Sequence, residues 1–112
     1  MVICLANNTI FHLDSARSTK KCLVMSVLQN IMKKIHGRAP RGPTWKSPMC
    51  PQQDNEVDCG LYVMRFMLDI ATHCTNTIHL GEFCKVQKGD PLTSKDLNEV
   101  RDMLASFITF NL

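Results

Sequence analysis

One stretch constrains this chain more than any other: a polar loop that ends at a cysteine, where an apolar run begins at once. The loop reads Pro-Gln-Gln-Asp-Asn-Glu-Val-Asp-Cys-Gly over residues 51–60, and Leu-Tyr-Val-Met follows. Asp58 is a good helix N-cap, which places Cys59 at the first helical position. Unpaired backbone N–H groups and the positive end of the helix dipole favour a thiolate there. The stretch therefore predicts a nucleophilic cysteine at the start of a helix.

The neighbours of this cysteine supply further groups that an attack on a carbonyl needs. The side-chain amide of Gln53 can donate to an oxyanion, together with the backbone N–H of Cys59. Gly60 removes a side chain where a substrate or a packed neighbour needs close approach. Three acidic residues oppose this chemistry, because their charges favour the protonated thiol unless they point away. These acids are Asp54, Glu56 and Asp58.

Two segments together resemble a known family. Residues 52–60 resemble the nucleophile motif of the ubiquitin-like-protein-specific cysteine proteases, the adenain-like clan of SUMO and NEDD8 deconjugating enzymes. Upstream, the Ile-Phe-His-Leu-Asp-Ser of residues 10–15 is similar to that family's strand ending in Asp-Ser. The resemblance covers nearly the whole chain but only the C-terminal half of such a domain. It implies an α+β fold: a partial papain-like or adenain-like cysteine peptidase with a short mixed sheet and packed helices.

The same resemblance assigns roles to individual residues. It implies that Cys59 is the nucleophile, that Asp14 is the acid orienting the catalytic histidine, and that Gln53 holds the oxyanion. Asn55 and Gly60 match supporting positions of the motif. The implied reaction is hydrolysis of peptide or isopeptide bonds after the C-terminal Gly-Gly of a ubiquitin-like modifier, with no metal or other cofactor. The expected partner is that modifier or its conjugates.

A cysteine protease also needs a histidine as base, and this chain has four. His73 lies at the far end of the helix predicted to start at Cys59, about 21 Å away, which excludes it. His12 shares a strand face with Asp14 but stands where the family usually has an aromatic or apolar residue. We therefore interpret His12 as structural. The other two lie away from the motifs: His36 and His79.

The family histidine, typically followed by tryptophan, lies on a strand before or at the point where this chain begins. We therefore expect truncation, with residues 1–112 forming a single partial domain that keeps the acid and the nucleophile without the base. Loss of one triad member can cost on the order of 10⁶ in turnover, so the chain is expected to be nearly or wholly inactive. The alternative is an inert modifier-binding module or a decayed transposon-associated remnant.

The predicted elements before the loop are a hairpin and a helix. Two β-branched and apolar runs, residues 2–5 and 9–13, flank adjacent asparagines, and we expect their first strand to be buried on both faces. Ser18 caps an amphipathic helix that ends at Gly37. Its apolar face consists of Val24, Val27, Leu28, Ile31 and Ile35.

The predicted elements around and after the loop are a strand and two helices. A short strand within residues 45–50 delivers the loop, and residues 59–74 form an apolar helix that we expect to be central and buried. Residues 75–92 carry Gly and Pro and are predicted to be irregular. Thr93 or Ser94 caps a last helix. Its apolar face consists of Leu97, Val100, Leu104, Phe107 and Ile108.

Composition and apolar run lengths indicate where the protein is located and whether it holds disulfides or zinc. No apolar run approaches a bilayer span and no signal-like segment leads the chain, which predicts an intracellular protein, nuclear or cytoplasmic, with no membrane partner. Six irregularly spaced cysteines predict free thiols rather than a disulfide framework. A zinc site fits poorly, because two adjacent candidate ligands and two loosely spaced ones match no common pattern. Those candidates are His73, Cys74, His79 and Cys84.

Charge is spread unevenly along the chain. Residues 1–50 carry eight Lys/Arg against the single Asp14, and residues 51–112 carry five against nine acids. A basic half is typical of nucleic-acid binding. Here four lysines fall on the polar face of one predicted helix without interleaved aromatics, which favours a solvated face and no nucleic-acid partner. They are Lys20, Lys21, Lys33 and Lys34. Truncation would leave a sheet edge unpaired and an apolar face uncovered, which predicts self-association.

Overall fold

The computed structural model describes residues 1–16, 23–37 and 42–112. These residues contain three strands and four α-helices, so the predicted α+β class with a short mixed sheet is confirmed. The strands are β1 (Val2–Cys4), β2 (Thr9–Phe11) and β3 (Thr44–Lys46); the helices are α1 (Leu23–His36), α2 (Cys59–His73), α3 (Thr77–Lys85) and α4 (Ser94–Asn111). The predicted cap Ser18 lies outside the described residues, as do Lys20 and Lys21.

The sheet has β2 at its centre. β1 pairs antiparallel with β2, and β2 pairs parallel with β3, so that α1 crosses between two parallel neighbours. A short 3-10 turn and Asn8, in the left-handed conformation with φ 51°, connect β1 to β2. The predicted hairpin is therefore confirmed, with a turn of the kind that asparagine tolerates.

Burial in the sheet differs from the prediction. All three residues of β2 are buried, whereas Ile3 of β1 is exposed and its two neighbours are half-buried. The expectation that the first strand is buried on both faces was wrong, because Val2 and Cys4 pack against the core on one face of β1 while Ile3, on the other face, is 42% exposed. Phe11 leads the core of this region, packing with Leu80 and Cys84 of α3.

The first helix ends where predicted but leaves its apolar face uncovered. Gly37 follows α1 with φ 57°, which a glycine adopts without strain. Met32 is buried on α1, whereas most of the predicted apolar face is about half exposed. The exposed positions are Val24, Val27, Ile31 and Ile35. The spacing thus predicted the helix and its apolar face, but no described element covers that face.

The central helix also has the predicted bounds and a different environment. α2 runs from Cys59 to His73, yet Tyr62 is its buried residue and Met67 is 65% exposed. Two charged residues of α2, Arg65 and Asp69, face α4 instead. Arg65 forms an ion pair with Asp69 at 3.0 Å and with two acids of α4, Asp96 and Glu99. The prediction of a buried central helix was wrong, since α2 meets α4 partly through ion pairs.

The segment after α2 contains a helix that the sequence pattern did not predict. α3 begins after Asn76, whose side-chain oxygen accepts from the backbone N–H of His79 at 2.9 Å. Two residues of α3, Leu80 and Cys84, are buried. The glycine within this segment suggested irregular structure, but burial of these two residues against the sheet stabilises a short helix.

The last helix starts with the predicted cap. Thr93 forms a capping box with Asp96: each side chain accepts from the other residue's backbone N–H. Val100 is buried on α4, whereas Leu104, Phe107 and Ile108 are exposed. The predicted apolar face is therefore covered near its start, where α4 packs on α2, and uncovered further along.

Candidate active site

Three hydrogen bonds bring the two predicted motifs together. The Nε2 of Gln52 donates to the backbone oxygen of Asp14 at 2.8 Å, and the backbone N–H of Gln53 donates to the oxygen of Ser15 at 2.9 Å. The hydroxyl of Ser15 donates to Oε1 of Gln53 at 2.8 Å. We call this set, residues 14–15 with 52–53, the clamp. It joins positions 38 residues apart and seats the loop before α2 against the end of β2.

A buried tyrosine holds the same loop from the other side. Tyr62 is 1% exposed, and its hydroxyl accepts from the backbone N–H of Leu92 at 3.0 Å while donating to the oxygen of Gln52 at 3.4 Å. The backbone N–H of Gln52 also donates to the oxygen of Gly89 at 3.3 Å. The loop is therefore fixed by the strand end, by α2 and by the segment before α4.

Asn55 shapes the chain between the clamp and the helix. Its Oδ1 accepts from the backbone N–H groups of Val57 at 3.0 Å and Asp58 at 2.9 Å, as in an Asx turn. Its Nδ2 donates to Asp58 Oδ2 at 2.8 Å. Its backbone oxygen accepts from Gln53 Nε2 at 2.6 Å. This residue thus connects the predicted oxyanion glutamine to the start of α2.

Cys59 is the first residue of α2 and its side chain is exposed. Asp58 occupies the N-cap position as predicted, but its side chain makes no capping bond. The Asp58 carboxylate instead accepts from Asn55 and lies 3.6 Å from Arg101 of α4. The prediction that Asp58 caps α2 was therefore right about its position and wrong about its side chain, because Asn55 and Arg101 bind that carboxylate instead. Arg101 also offsets part of the negative charge next to the thiol.

Gln53 has one amide hydrogen left for another acceptor. Its oxygen takes the Ser15 hydroxyl, and one N–H of its amide goes to the Asn55 oxygen. A primary amide carries two N–H donors, so this geometry is compatible with a bond from the second N–H to a substrate oxygen. Gly60 follows the nucleophile, and a Cβ at this position would meet no atom within 4 Å. Its lack of a side chain therefore leaves open space next to the thiol.

Asp14 lies at the wall of a cavity of about 480 Å³. Its Oδ1 accepts from the backbone N–H of Ala16 at 3.0 Å, and its backbone oxygen accepts from the Cys50 thiol at 3.5 Å. His12 lines the same cavity, and so does Gln52. His12 is therefore a histidine that the structure places next to a predicted site residue.

Two other histidines are engaged at the far end of α2 and beyond it. The Nδ1 of His73 lies 2.9 Å from the oxygen of Asp69, and its ring stacks on Phe83 with centroids 6.1 Å apart. The Nδ1 of His79 lies 2.7 Å from the hydroxyl of Thr75. Since α2 spans the predicted residues, the exclusion of His73 as base for Cys59 is confirmed.

The described cysteines differ in burial: Cys59 is exposed, Cys4 and Cys74 are half-buried, and Cys50 and Cys84 are buried. All five cysteines in the described part of the chain are free, as predicted. Burial raises the pKa of the Cys50 thiol and of the Cys84 thiol above the ordinary value of 9.0.

The described residues contain no group of three or more His, Cys, Asp or Glu arranged to hold a metal ion.

Residue patterns did not indicate the groups that hold the site in place. Ser15, Tyr62 and Arg101 each bond to the loop, and all three lay outside the predicted set. The position of Ser15 directly after Asp14 was a usable signal, since Asp-Ser is the part of the first motif that the resemblance rests on. Tyr62 and Arg101 gave no such signal, because their partners are known only from the fold.

Comparison with known proteins identifies a family. A family model described as the Ulp1 protease family, C-terminal catalytic domain, matches residues 1–108, a range that includes both motifs. Neither the search of curated proteins nor the search of solved structures returned a match. Within the described residues, no helix combines the length and apolar character that crossing a bilayer demands.

Proposed function

The chain belongs to the Ulp1 protease family, and we propose from this premise that it is a cysteine peptidase domain whose nucleophile is Cys59. Its substrate is a ubiquitin-like modifier with a C-terminal Gly-Gly, or a conjugate of that modifier, inside the cell. The observation that supports the proposal is the clamp, because it holds Gln53, the proposed oxyanion donor, against the residues that follow β2. The family match covers both segments that the clamp joins.

In the proposed reaction, the thiolate of Cys59 attacks the carbonyl carbon of the terminal glycine. The π electrons of the carbonyl move to its oxygen, which accepts from the second N–H of Gln53 and from the backbone N–H of Cys59. When the intermediate collapses, the C=O bond re-forms and the C–N bond breaks, the amine leaves with a proton taken from water, and a thioester remains. Water then hydrolyses the thioester to a carboxylate and the free Cys59 thiol. Removing one oxyanion donor of this kind costs about 10²–10³ in turnover.

The proposed reaction also needs a base that takes the proton of the Cys59 thiol. Asp14 is the acid that would orient a histidine, and His12 shares its cavity, but no described contact joins a histidine to Cys59. We infer that the turnover number of residues 1–112 alone is lower than that of a complete triad by a factor on the order of 10⁶. The same placement of the histidines supports a second candidate function, a module that binds the modifier without cleaving it.

Covalent capture separates these functions. We would incubate the chain with ubiquitin-like proteins that carry a C-terminal electrophile and detect the adduct by mass. The matched variants are Cys59→Ala and Cys74→Ala, which remove thiols at opposite ends of α2. A version extended upstream tests for a missing base.

The proposal expects capture of the unchanged chain and of Cys74→Ala, and no capture of Cys59→Ala. Capture of the extended version alone would show that the nucleophile needs residues outside this sequence. Reversible binding without capture would support the binding module. Absence of both, with every protein shown to be folded, would overturn the proposal.

A further inference from the structure

We propose that Ser15 is a positioning residue: its hydroxyl sets the orientation of the Gln53 carboxamide and so aims the remaining N–H at the substrate oxygen. The proposal rests on the proposed function above, because it concerns the oxyanion donor of that reaction. It adds a role to a residue next to the triad acid.

Ser15 holds Gln53 at two points. Its backbone oxygen accepts from the Gln53 N–H at 2.9 Å, and its hydroxyl donates to Gln53 Oε1 at 2.8 Å. Ser15 is 7% exposed, so water competes little for this hydroxyl. Losing one partner of such a pair leaves the other group without its bond, which costs more than the bond's net contribution.

Orientation matters because a carboxamide has a different chemistry at each end. The last torsion of a glutamine side chain has a broad, roughly two-fold preference, so its neighbours decide which way the amide faces. In this structure the oxygen faces Ser15 and the nitrogen faces the Asn55 oxygen at 2.6 Å. A flipped amide would place two oxygens at that distance, and it would present an acceptor where the reaction needs a donor.

The two supports of the amide are unequal. The bond to Asn55 is exposed to water, whereas the Ser15 hydroxyl lies on a buried residue. Exposed hydrogen bonds are exchanged readily for bonds to water, and their net contribution is small. The Ser15 hydroxyl is therefore the support whose loss frees the amide to rotate.

Two chemical probes differ in their need for the oxyanion donor. A modifier with a C-terminal aldehyde adds the Cys59 thiol across its C=O bond: an S–C bond forms, and the carbonyl oxygen gains the electron pair and then the thiol proton. A modifier with a C-terminal alkyl bromide forms an S–C bond as its C–Br bond breaks and bromide leaves. Only the first reaction places negative charge on an oxygen at the site.

The experiment compares these probes on Ser15→Ala, Gln53→Ala, the double variant, Ser15→Thr and Ser26→Ala. We expect Gln53→Ala to weaken aldehyde binding about 100-fold and Ser15→Ala about 10-fold. The double variant should match Gln53→Ala alone, because Ser15 acts through Gln53. Ser15→Thr should restore binding, since it keeps the hydroxyl. Ser26→Ala, on exposed α1, should change nothing.

Alkylation is the control for general damage to the site. If Ser15→Ala merely distorted the structure, both probes would react less well; if it misorients Gln53, only aldehyde binding weakens. Ser15→Ala should alkylate within about twofold of the unchanged chain. A parallel loss with both probes, additive losses in the double variant, or failure of a folded Ser15→Thr to restore aldehyde binding would each overturn the proposal.

Failure of the proposed function would look different. If neither probe captures the unchanged chain, the protease assignment fails, and the Ser15–Gln53 coupling is then measured by denaturant unfolding of the unchanged chain, Ser15→Ala, Gln53→Ala and the double variant. Non-additive unfolding would keep Ser15 as the group that positions Gln53, and additive unfolding would overturn that role.

Discussion

The loop before α2 and the apolar face of α1 differ in what holds them: the loop is irregular but fixed by many contacts, whereas α1 is regular but its apolar face is uncovered. The loop has no regular secondary structure, yet the clamp, Tyr62 and Asn55 hold it at several points. α1 is a regular helix of 14 residues, yet four apolar side chains of its predicted face are about half exposed: Val24, Val27, Ile31 and Ile35. Regular structure and fixed position are therefore separate properties in this protein.

The difference follows from where the partners are. Polar groups of the loop find matching donors and acceptors within reach on the end of β2 and on α2, so burial leaves few of them without partners. The apolar face of α1 requires a complementary surface, which the described elements do not provide. Four experiments test this comparison.

The largest effect is expected at Tyr62, which anchors the loop. Tyr62→Ala should lower the free energy of unfolding by about 3–5 kcal/mol, because it empties a buried site. Tyr62→Phe should cost about 1–3 kcal/mol, since the backbone N–H of Leu92 loses its acceptor. Urea denaturation measures both. The control is Val63→Ala, at the adjacent, half-exposed position; equal losses at the two sites would remove the distinction between loop and surface.

A second test uses Cys50 and Cys59, the thiols at the two ends of the loop. Cys59 is exposed, whereas Cys50 is buried and burial raises the pKa of its thiol. Iodoacetamide at pH 8 should therefore modify Cys59 on the order of 100-fold faster than Cys50, whose reaction needs local opening. Peptide mass spectrometry over time gives both rates. Similar rates would mean that the loop opens freely, and the comparison with α1 would break down.

A third test removes the turn within the loop. Asn55→Ala deletes the acceptor for two exposed backbone N–H groups and should cost about 1 kcal/mol in the free energy of unfolding, because water replaces part of what is lost. Glu56→Ala, at the neighbouring exposed position, should stay within about 0.5 kcal/mol. Thermal unfolding of both variants decides whether the side chain of Asn55 or the mere length of the loop sets its shape.

The smallest effect on unfolding is expected on the face of α1. Val27→Ser with Ile31→Ser should change the free energy of unfolding by less than about 1 kcal/mol, because both side chains are already half exposed. Met32→Ala, at the neighbouring buried position, should cost about 2–5 kcal/mol.

The same double substitution sharpens the question of self-association, which stays a prediction. An uncovered apolar face and an exposed edge at β1 favour contact between copies. Sedimentation over a range of concentrations should show association of the unchanged chain and less of it in the double variant. A monomer at every concentration would contradict the prediction.

The sequence predicted the features that short-range interactions determine. The start of α2 at Cys59, the glycine after α1, the capping threonine of α4 and the hairpin turn at Asn8 follow from backbone preferences and short-range bonds. Burial could not be predicted in this way, because spacing indicates which face of a helix is apolar but not what covers it. α3 was missed for a related reason: its stability comes from packing against Phe11 of the sheet.

The site shows the same limit. Residue types and spacing indicated Cys59 and Gln53, and the family resemblance of residues 10–15 indicated Asp14; the roles of all three stay predictions. Neither signal indicated that Ser15 bonds to Gln53, because that bond crosses 38 positions and depends on the path of the chain between β2 and β3.

The span of the clamp also sets an order of assembly during synthesis. A ribosome adds about 5–20 residues per second, so roughly 2–8 s separate the emergence of the two halves of the clamp. A hairpin forms in about 1–10 μs, and a two-stranded one is marginal in water. β1 and β2 therefore pair and separate many thousands of times before the loop arrives. The nascent hairpin is therefore the template onto which the loop before α2 is laid, and the contacts with Tyr62 and Gly89 form later still.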